Sequence, residues 1–560
     1  TQDTDSIFAD PASFVDDRAR SEAASLLANA LGQPKDKLEK KLSGEKRFVW
    51  LARKVEAEVA DKVRALNLDG VELVKEPKRY YPQRELAGHV LGFVGEDAGQ
   101  EGLERELEQY LKGQVLSVPA VRDARGAMVM TEGAPDPTKL TGATVTTTLD
   151  SSIQLTTERE LAKAVRDSHA ASGWAMVMDV QTGAILSLAS SPSFDANKPG
   201  RDPLVWKNRG VQDQLEPGST IKSFMMAIAM EDGELKPNEA MFCENGIARI
   251  AGRTIHDTHK VGWATPSDVL RESSNICAAK IGLRLGADRL MEGYRAFGFG
   301  ERTGVGLPGE GRGQLRDPKR MPLISVATSA FGQGMSATGL QTVVAMAAIA
   351  NGGVLLKPYL VQKVVASDGT VLLTRGREEV RRVLSEKTAA RVQTMLEEVV
   401  QRGTGTKAAI ADFRVAGKTG TAQKVDPIRG GYNDKKLASF LGFAPAEAPR
   451  VAVLVAIDEP EGKTHGGDVA APAWGPIAGE ALRQLGVTPA HLIAQAQEEH
   501  RALVKAEALA QKQKARLAKI QAAKSQAAKD KTPKAAQKPV RAQAPNVKKP
   551  QPLASREVLP

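Results

Sequence analysis

The chain has 560 residues, 42% of them hydrophobic and only 4% aromatic, with a formal charge of +10. That length predicts two to four domains, with aliphatic and Met side chains filling their cores. The charge does not describe a nucleic-acid-binding face. Arg501–Pro560 holds 15 Lys/Arg and 3 Asp/Glu, or +12, which leaves −2 for the other 500 residues, and no aromatic interrupts that tail to stack on bases. The two cysteines, Cys243 and Cys277, exclude a zinc ribbon and a disulfide-stapled scaffold, and are expected as small buried apolar residues. No apolar run reaches the ~18 residues that span a bilayer, and no signal-peptide pattern opens the chain.

In chain order, residues 1 to about 145 are charged and mixed. Ser21–Leu31 and Glu56–Leu66 read as amphipathic helices. Arg79-Tyr80-Tyr81-Pro82 follows. His89-Val90-Leu91-Gly92-Phe93-Val94-Gly95 then reads as a short apolar strand, and Gly102-Leu103-Glu104 opens another helical stretch. Composition shifts at Val145–Asp150, a β-branched run ahead of a helix over Ile153–Ser168. Trp174–Val180 and Ala184–Ala189, joined by Gln181-Thr182-Gly183, predict a hairpin. Their lack of polar alternation predicts strands buried on both faces. Phe413–Lys418, Ser439–Ala444 and Val451–Ile457 fit the same sheet, after a long, mostly helical stretch. The fold class is therefore α+β, an antiparallel sheet flanked by helices. Past Pro489, Ala, Lys, Gln and Glu predict a lone polar helix over residues 489–525. Prolines from Pro533 to Pro560 predict a disordered basic tail over 526–560. Such a tail suits a solvated spacer, with contact to anionic polymers or lipid headgroups as the functional alternative.

Three short motifs carry chemistry. Ser219-Thr220-Ile221-Lys222 follows a Pro-Gly break and predicts a helix beginning at Ser219, with Ile221, Phe224, Met225, Ile228 and Ala229 as its buried stripe. A helix N-terminus favours developing negative charge, and Lys222 lies one turn on. A lysine activates a serine only as the free base, so burial or a second cation must lower its pKa. Ser-x-x-Lys alone is weak, expected by chance about twice in such a chain. Ser43-Gly44-Glu45-Lys46 matches too, in a polar, Lys-rich segment with no core helix after it. Ser273-Ser274-Asn275 opens an apolar helical run and, alone, is an ordinary capping sequence. Lys418-Thr419-Gly420-Thr421 ends a predicted strand and places a cation and hydroxyls where a carboxylate can bind. Arg302-Thr303-Gly304, a near match, reads as a turn. His256-Asp257-Thr258-His259 has no further ligand cluster beside it and reads as loop or strand.

The ordered set Ser-x-x-Lys, Ser-x-Asn, Lys-Thr-Gly resembles the penicilloyl-serine transferases. The amino-terminal third, through Arg79–Pro82, His89–Gly95 and Gly102–Glu104, resembles the non-catalytic, dimerisation-type pedestal of class B penicillin-binding proteins. Asn208-Arg209, Phe331-Gly332-Gln333-Gly334 and His465-Gly466-Gly467-Asp468-Val469-Ala470-Ala471-Pro472 resemble class B features, and no glycosyltransferase-like segment suggests class A. Val415–Val425 and Ala438–Pro445 look most like the cell-division (FtsI-like) type or its sporulation relative, with the elongation type as the near alternative.

The resemblance implies a penicillin-binding transpeptidase fold over 146–488 on an elongated pedestal over 1–145. It implies a peptidoglycan D,D-transpeptidase of septal wall synthesis that β-lactams inhibit. Ser219 is the implied nucleophile and Lys222 its base. Ser273 relays a proton, Asn275 orients, Lys418, Thr419 and Thr421 hold the substrate carboxylate, and Gly420 lets the substrate backbone lie against the strand. No metal or organic cofactor is implied. The implied partners are stem peptides ending in D-Ala-D-Ala, an FtsW-like membrane glycosyltransferase and other divisome proteins. The implied location is the bacterial inner membrane, through a single N-terminal anchor preceding Thr1, with the catalytic domain outside the cytoplasm. A D,D-carboxypeptidase or β-lactamase-like hydrolase, a β-lactam sensor and a lapsed scaffold are the rivals. No deacylating base is identifiable for the hydrolase, and no signalling membrane segments for the sensor.

Overall fold

The computed structural model describes residues 1–44, 46–113, 120–122, 128–130, 141–426 and 428–529. Thr1–Pro489 forms one compact unit and Ala490–Pro560 a second. In the second, Ala490–Lys529 is a single 40-residue helix with no buried residue. It runs past the expected end at 525, so 526–529 are helical; the rest of the expected tail lies outside the described residues.

The first unit opens with a three-stranded antiparallel sheet, β1 (Gln2–Ala9), β2 (Val49–Val55) and β3 (Val71–Lys78), in the order β2-β1-β3. Ile7, Ala9 and Leu51 bury one face against helices Asp17–Leu31, Lys35–Leu42 and Ala57–Ala65. The first helix begins four residues before the expected start because Asp16 caps it, accepting from Ala19 N at 2.8 Å. The expected strand over 89–95 is instead a helical turn, Gly88–Leu91. His89 and Val90 are both buried, so the segment has no period-two face. Its apolar character serves a junction. Arg79 pairs with buried Glu104 at 2.6 Å, the Tyr81 hydroxyl donates to Glu104 at 3.2 Å, and Val94 N donates to that hydroxyl at 3.1 Å. Asn197, farther along the chain, grips the Tyr81 backbone at 2.9 and 2.8 Å. The three marks read from the amino-terminal third thus meet at one carboxylate.

The central sheet has five antiparallel strands: β4 (Ser172–Asp179), β5 (Ile185–Ser191), β6 (Ala416–Val425), β7 (Tyr432–Ala444) and β8 (Val451–Asp458), ordered β6-β7-β8-β4-β5. Both faces are covered, as the unbroken apolar runs require. Trp174, Met176, Met178, Leu441 and Leu454 join the larger core with helices Lys222–Glu231, Asn275–Ala296, Gly339–Ala350 and Glu386–Arg402. Ala175, Val177, Phe440, Val453 and Val455 join the other, under helices Ser151–Asp167 and Ala471–Gln484. Successive residues alternate between the two cores. The edge strand β6 begins at Ala416 instead of Phe413 and continues through Lys418-Thr419-Gly420-Thr421 to Val425, so the motif lies inside the strand and does not end it. Its Gly and Thr content hides a strand that is buried nonetheless.

Trp474 fixes the outer helix to this sheet. It is fully buried, donates its indole N–H to the Val453 carbonyl at 2.9 Å, and meets Phe440 edge-on at 5.3 Å. Trp474→Ala is expected to destabilise the unit by about 3–5 kcal/mol, read as a lower denaturant midpoint by circular dichroism. A midpoint shift worth less than about 1 kcal/mol would show that this contact does not hold the layer.

Candidate active site

The nucleophile candidate stands on a tight turn. Gly218–Ile221 is a 3-10 turn and the α-helix proper begins at Lys222, so the helix starts one turn later than expected from sequence. Gly218 has φ +56, which glycine adopts freely. A Cβ there would lie 3.0 Å from Ala422 Cβ and 3.1 Å from the Thr421 carbonyl oxygen, so Ser219 is carried close to β6. Gly332 closes the other side: a Cβ on it would sit 2.2 Å from the Gly218 carbonyl oxygen. Gly466 packs on the strand pair in the same way, 2.4 Å from the Gly420 carbonyl oxygen by the same measure, and donates its N–H to Thr421 Oγ1 at 3.2 Å.

Lys222 and Lys418 are both 0% exposed. Lys222 Nζ donates to the Ser273 carbonyl at 2.6 Å and to Asn275 Oδ1 at 2.7 Å, and lies 3.2 Å from Ser273 Oγ. Lys418 Nζ reaches the same Ser273 hydroxyl at 2.9 Å and the Thr419 carbonyl at 3.2 Å. One serine hydroxyl therefore bridges two buried amines that are far apart in the sequence. Burial pushes the Lys418 amine down to about 7. Lys222 is driven well below the ordinary lysine range, first by burial and then by the Lys418 charge, with Asp257 opposing. The free base that the sequence argument requires is thus favoured on both counts.

Ser273 has φ +57, the left-handed region that a β-carbon resists. Ser274 caps helix Asn275–Ala296 by accepting from Cys277 N at 3.1 Å. Two participants escaped the motif reading. Asp257, considered only as a metal ligand, accepts from Ser274 Oγ at 2.6 Å, Asn275 N at 2.5 Å and Ile276 N at 3.1 Å. It sits at the helix N-terminus, where a carboxylate is stabilised. Asp257 lies just past the strand Arg253–His256, and its side chain is committed to the Ser-x-Asn turn. Thr404 shares a 2.7 Å hydrogen bond with the Thr419 hydroxyl. Its place in Gly403-Thr404-Gly405 was the available signal.

The near-match motifs fall elsewhere. Ser43 is an exposed helix C-cap whose hydroxyl donates to the Lys40 carbonyl. Thr303 closes a turn on Glu310 at 2.6 Å. The cysteines correct the expectation of two separate buried thiols: Cys243 and Cys277 are joined as a disulfide, with Cα atoms 5.2 Å apart. Both sulfurs are buried, which is what the sequence could see.

A cleft of about 300 Å³ opens beside the turn, lined by Glu216, Arg316, Ser336, Ala422, Gln423 and Val425. Glu216 accepts from Gly334 N at 2.7 Å and from the Tyr432 hydroxyl at 3.0 Å, and its burial raises its pKa. Among the described residues, the outer edge of β6 pairs with no other strand. An extended peptide can add there.

Residues 173–479 match the penicillin-binding protein transpeptidase domain, and residues 2–147 the penicillin-binding protein dimerisation domain. The chain is 36% identical over 470 residues to peptidoglycan D,D-transpeptidase FtsI of Escherichia coli, covering 83% of this chain and 77% of that protein. It is 37% identical over 447 residues to stage V sporulation protein D of Bacillus subtilis, covering 78% and 69%. The crystal structure of penicillin-binding protein 3 from Mycobacterium tuberculosis complexed with aztreonam superposes with a TM-score of 0.64 at 32% identity, over 75% of this chain and 92% of that one. With a dimerisation domain ahead of a transpeptidase domain, and homology over most of its length, the chain belongs to the class B penicillin-binding proteins, serine-type peptidoglycan D,D-transpeptidases.

Proposed function

We propose that this chain cross-links stem peptides of septal peptidoglycan through an acyl intermediate on Ser219, and that β-lactams inhibit it by acylating the same oxygen. The observation that carries the reading is the Ser273 hydroxyl held between two buried amines, 3.2 Å from Lys222 and 2.9 Å from Lys418. A neutral Lys222 has two N–H donors, and two acceptors meet them: the Ser273 carbonyl and Asn275 Oδ1. The lone pair then faces the Ser273 hydroxyl at 3.2 Å, and in the proposed reaction it is the site that takes the Ser219 proton.

In the proposed reaction, the stem peptide lies along β6 with its terminal carboxylate near Lys418, Thr419 and Thr421. Gly420 lets the peptide lie close to the strand. Ser219 Oγ attacks the penultimate D-Ala carbonyl, and its proton passes to Lys222. The backbone N–H groups of Ser219 and Thr421 receive the oxyanion, a contribution of several kcal/mol where such donors are preorganised. Collapse breaks the peptide bond. The departing D-Ala amine takes a proton through Ser273, which both lysines can recharge. An amine from a neighbouring stem then attacks the ester, loses a proton to the same relay, and frees Ser219.

The Mycobacterium tuberculosis relative with bound aztreonam supports the β-lactam reading. The disulfide supports a location outside the reducing cytoplasm. Among the described residues no helix is long and apolar enough to cross a membrane. A septal role rests on the resemblance of Val415–Val425 and Ala438–Pro445 to the division type. Similarity to the sporulation protein supports a second reading, a specialised septum.

Three outcomes are expected. A fluorescent penicillin labels the chain and its Ser43→Ala variant durably, while Ser219→Ala takes up no label; rapid loss of label would show a hydrolase instead. Across about pH 5 to 9, the limiting acylation rate falls toward acid as Lys222, driven well below the ordinary lysine range by burial and then by the Lys418 charge, regains its proton. Lys418→Met removes the neighbouring cation, raises the Lys222 pKa, and moves that fall to higher pH; a limb that stays put would remove Lys222 as the base. Finally, cells depleted of the protein grow as undivided filaments that lose midcell wall labelling. Rounded cells would favour an elongation role.

A further inference from the structure

The segment Met241–Ala264 is a small flap of two hairpin ladders: Ile247–Ile250 pairs with Arg253–His256, and Met241–Phe242 with Trp263–Ala264. It is mostly exposed. Its buried side chains are few, among them Cys243, Ala248, Ile255 and Val261. Yet it carries Asp257, whose carboxylate accepts three hydrogen bonds from Ser274, Asn275 and Ile276. The His256 carbonyl accepts a fourth bond from Asn275 Nδ2 at 3.0 Å. Asn275 in turn fixes Lys222 at 2.7 Å. A thinly built surface element thus aims the residues around the proposed base.

The disulfide lies on the same path. Cys277 is in the first turn of the helix that begins at Asn275. Cys243 sits at the base of the flap, where its N–H donates to the Gly262 carbonyl at 2.7 Å. The Cys243 carbonyl accepts from Gly246 N at 3.2 Å, and the Gly246 carbonyl accepts from Asp257 N at 3.0 Å. Two hydrogen bonds therefore connect the crosslink to the backbone of Asp257. Lys280, one turn along the helix, adds a second tie, donating to the Phe242 carbonyl and Glu244, each at 2.7 Å. These ties hold the flap to the same helix turn that the motif occupies.

We propose that the Cys243–Cys277 crosslink and Asp257 form a positioning brace for Ser273 and Asn275, so that Ser219 is acylated at its full rate only in the disulfide-bonded chain. The brace rests on the acyl-serine reading above. It acts through the geometry of Lys222 and touches no substrate atom. Small misplacement at a reacting centre is costly, so a loosened flap shows as a slower chemical step.

The test uses the full chain, its Cys243→Ala/Cys277→Ala double variant, and Asp257→Asn with the disulfide intact. Acylation by a fluorescent penicillin is followed against penicillin concentration, and each rate is divided by the titrated fraction of reactive sites. The expected result is a limiting acylation rate lower by about tenfold or more in both variants, with the dissociation constant of the non-covalent complex unchanged. A purely structural staple would lower the melting temperature and the titrated fraction but leave the rate per site at the parental value; that result in the double variant overturns the brace. Asp257→Asn reports even if the double variant folds poorly: a parental rate per site there overturns the link from flap to motif. A parent chain that takes no label would overturn the acyl-serine reading, and this inference with it.

Discussion

Two lysines removed from water around one serine hydroxyl set the terms for everything else in this molecule. Among the described residues neither amine is hydrogen-bonded to a carboxylate; Lys222 is met by a carbonyl, an amide oxygen and the shared hydroxyl, Lys418 by that hydroxyl and a carbonyl. Burying an unpaired ammonium is so unfavourable that the group gives up its proton instead. The depressed pKa values of both lysines follow from that burial. What would be a stability defect elsewhere is, in the reaction proposed here, the source of a base.

That arrangement demands three chain segments, near 219, 273 and 418, within hydrogen-bond reach of each other. The two-sided sheet makes this possible because its central strands are apolar on both faces and leave edge strand β6 to carry polar chemistry. Close approach then depends on missing side chains. Gly332 admits the Gly218 carbonyl, and Gly420 and Gly466 meet across the β6–β7 pair. A β-carbon at Gly332 or Gly466 would fall about 2 Å from a backbone oxygen, which no rotamer change can relieve. The glycine-containing runs at 331–334 and 465–467 are therefore walls of the site.

Much of this was legible in the chain itself. The hairpin of Trp174–Val180 and Ala184–Ala189 was plain because unbroken apolar runs of that length have few other uses. The ordered motifs fixed which residues converge. What stayed hidden was polarity used in unusual places. Lys-Thr-Gly-Thr looked like a strand end because a buried strand rarely contains so many Gly and Thr residues, yet the register Lys418↔Leu441 and Gly420↔Ser439 places it mid-ladder. Asp257 carried no signal, since its partners, the Ser274 hydroxyl and two backbone N–H groups at the start of a helix, lie 17 to 19 residues away. The disulfide was invisible for a related reason. Two cysteines 34 residues apart give no spacing pattern, and only the fold brings their Cα atoms to 5.2 Å.

Ser273 shows why the site needs support from so many directions. Its positive φ carries a strain on the order of 1–3 kcal/mol, which persists only where the surroundings over-determine it. The strained conformation presents carbonyl and hydroxyl to the same amine, at 2.6 and 3.2 Å. The capped helix holds the residue from its C-terminal side, through Ser274 and Asp257, while the lysines hold it from within. Backbone strain and lysine desolvation are thus two costs of a single geometry. Each is tolerable because the other is locked: an amine without its carbonyl would be free to turn toward water, and a carbonyl without its amine would be a buried acceptor left unpaired.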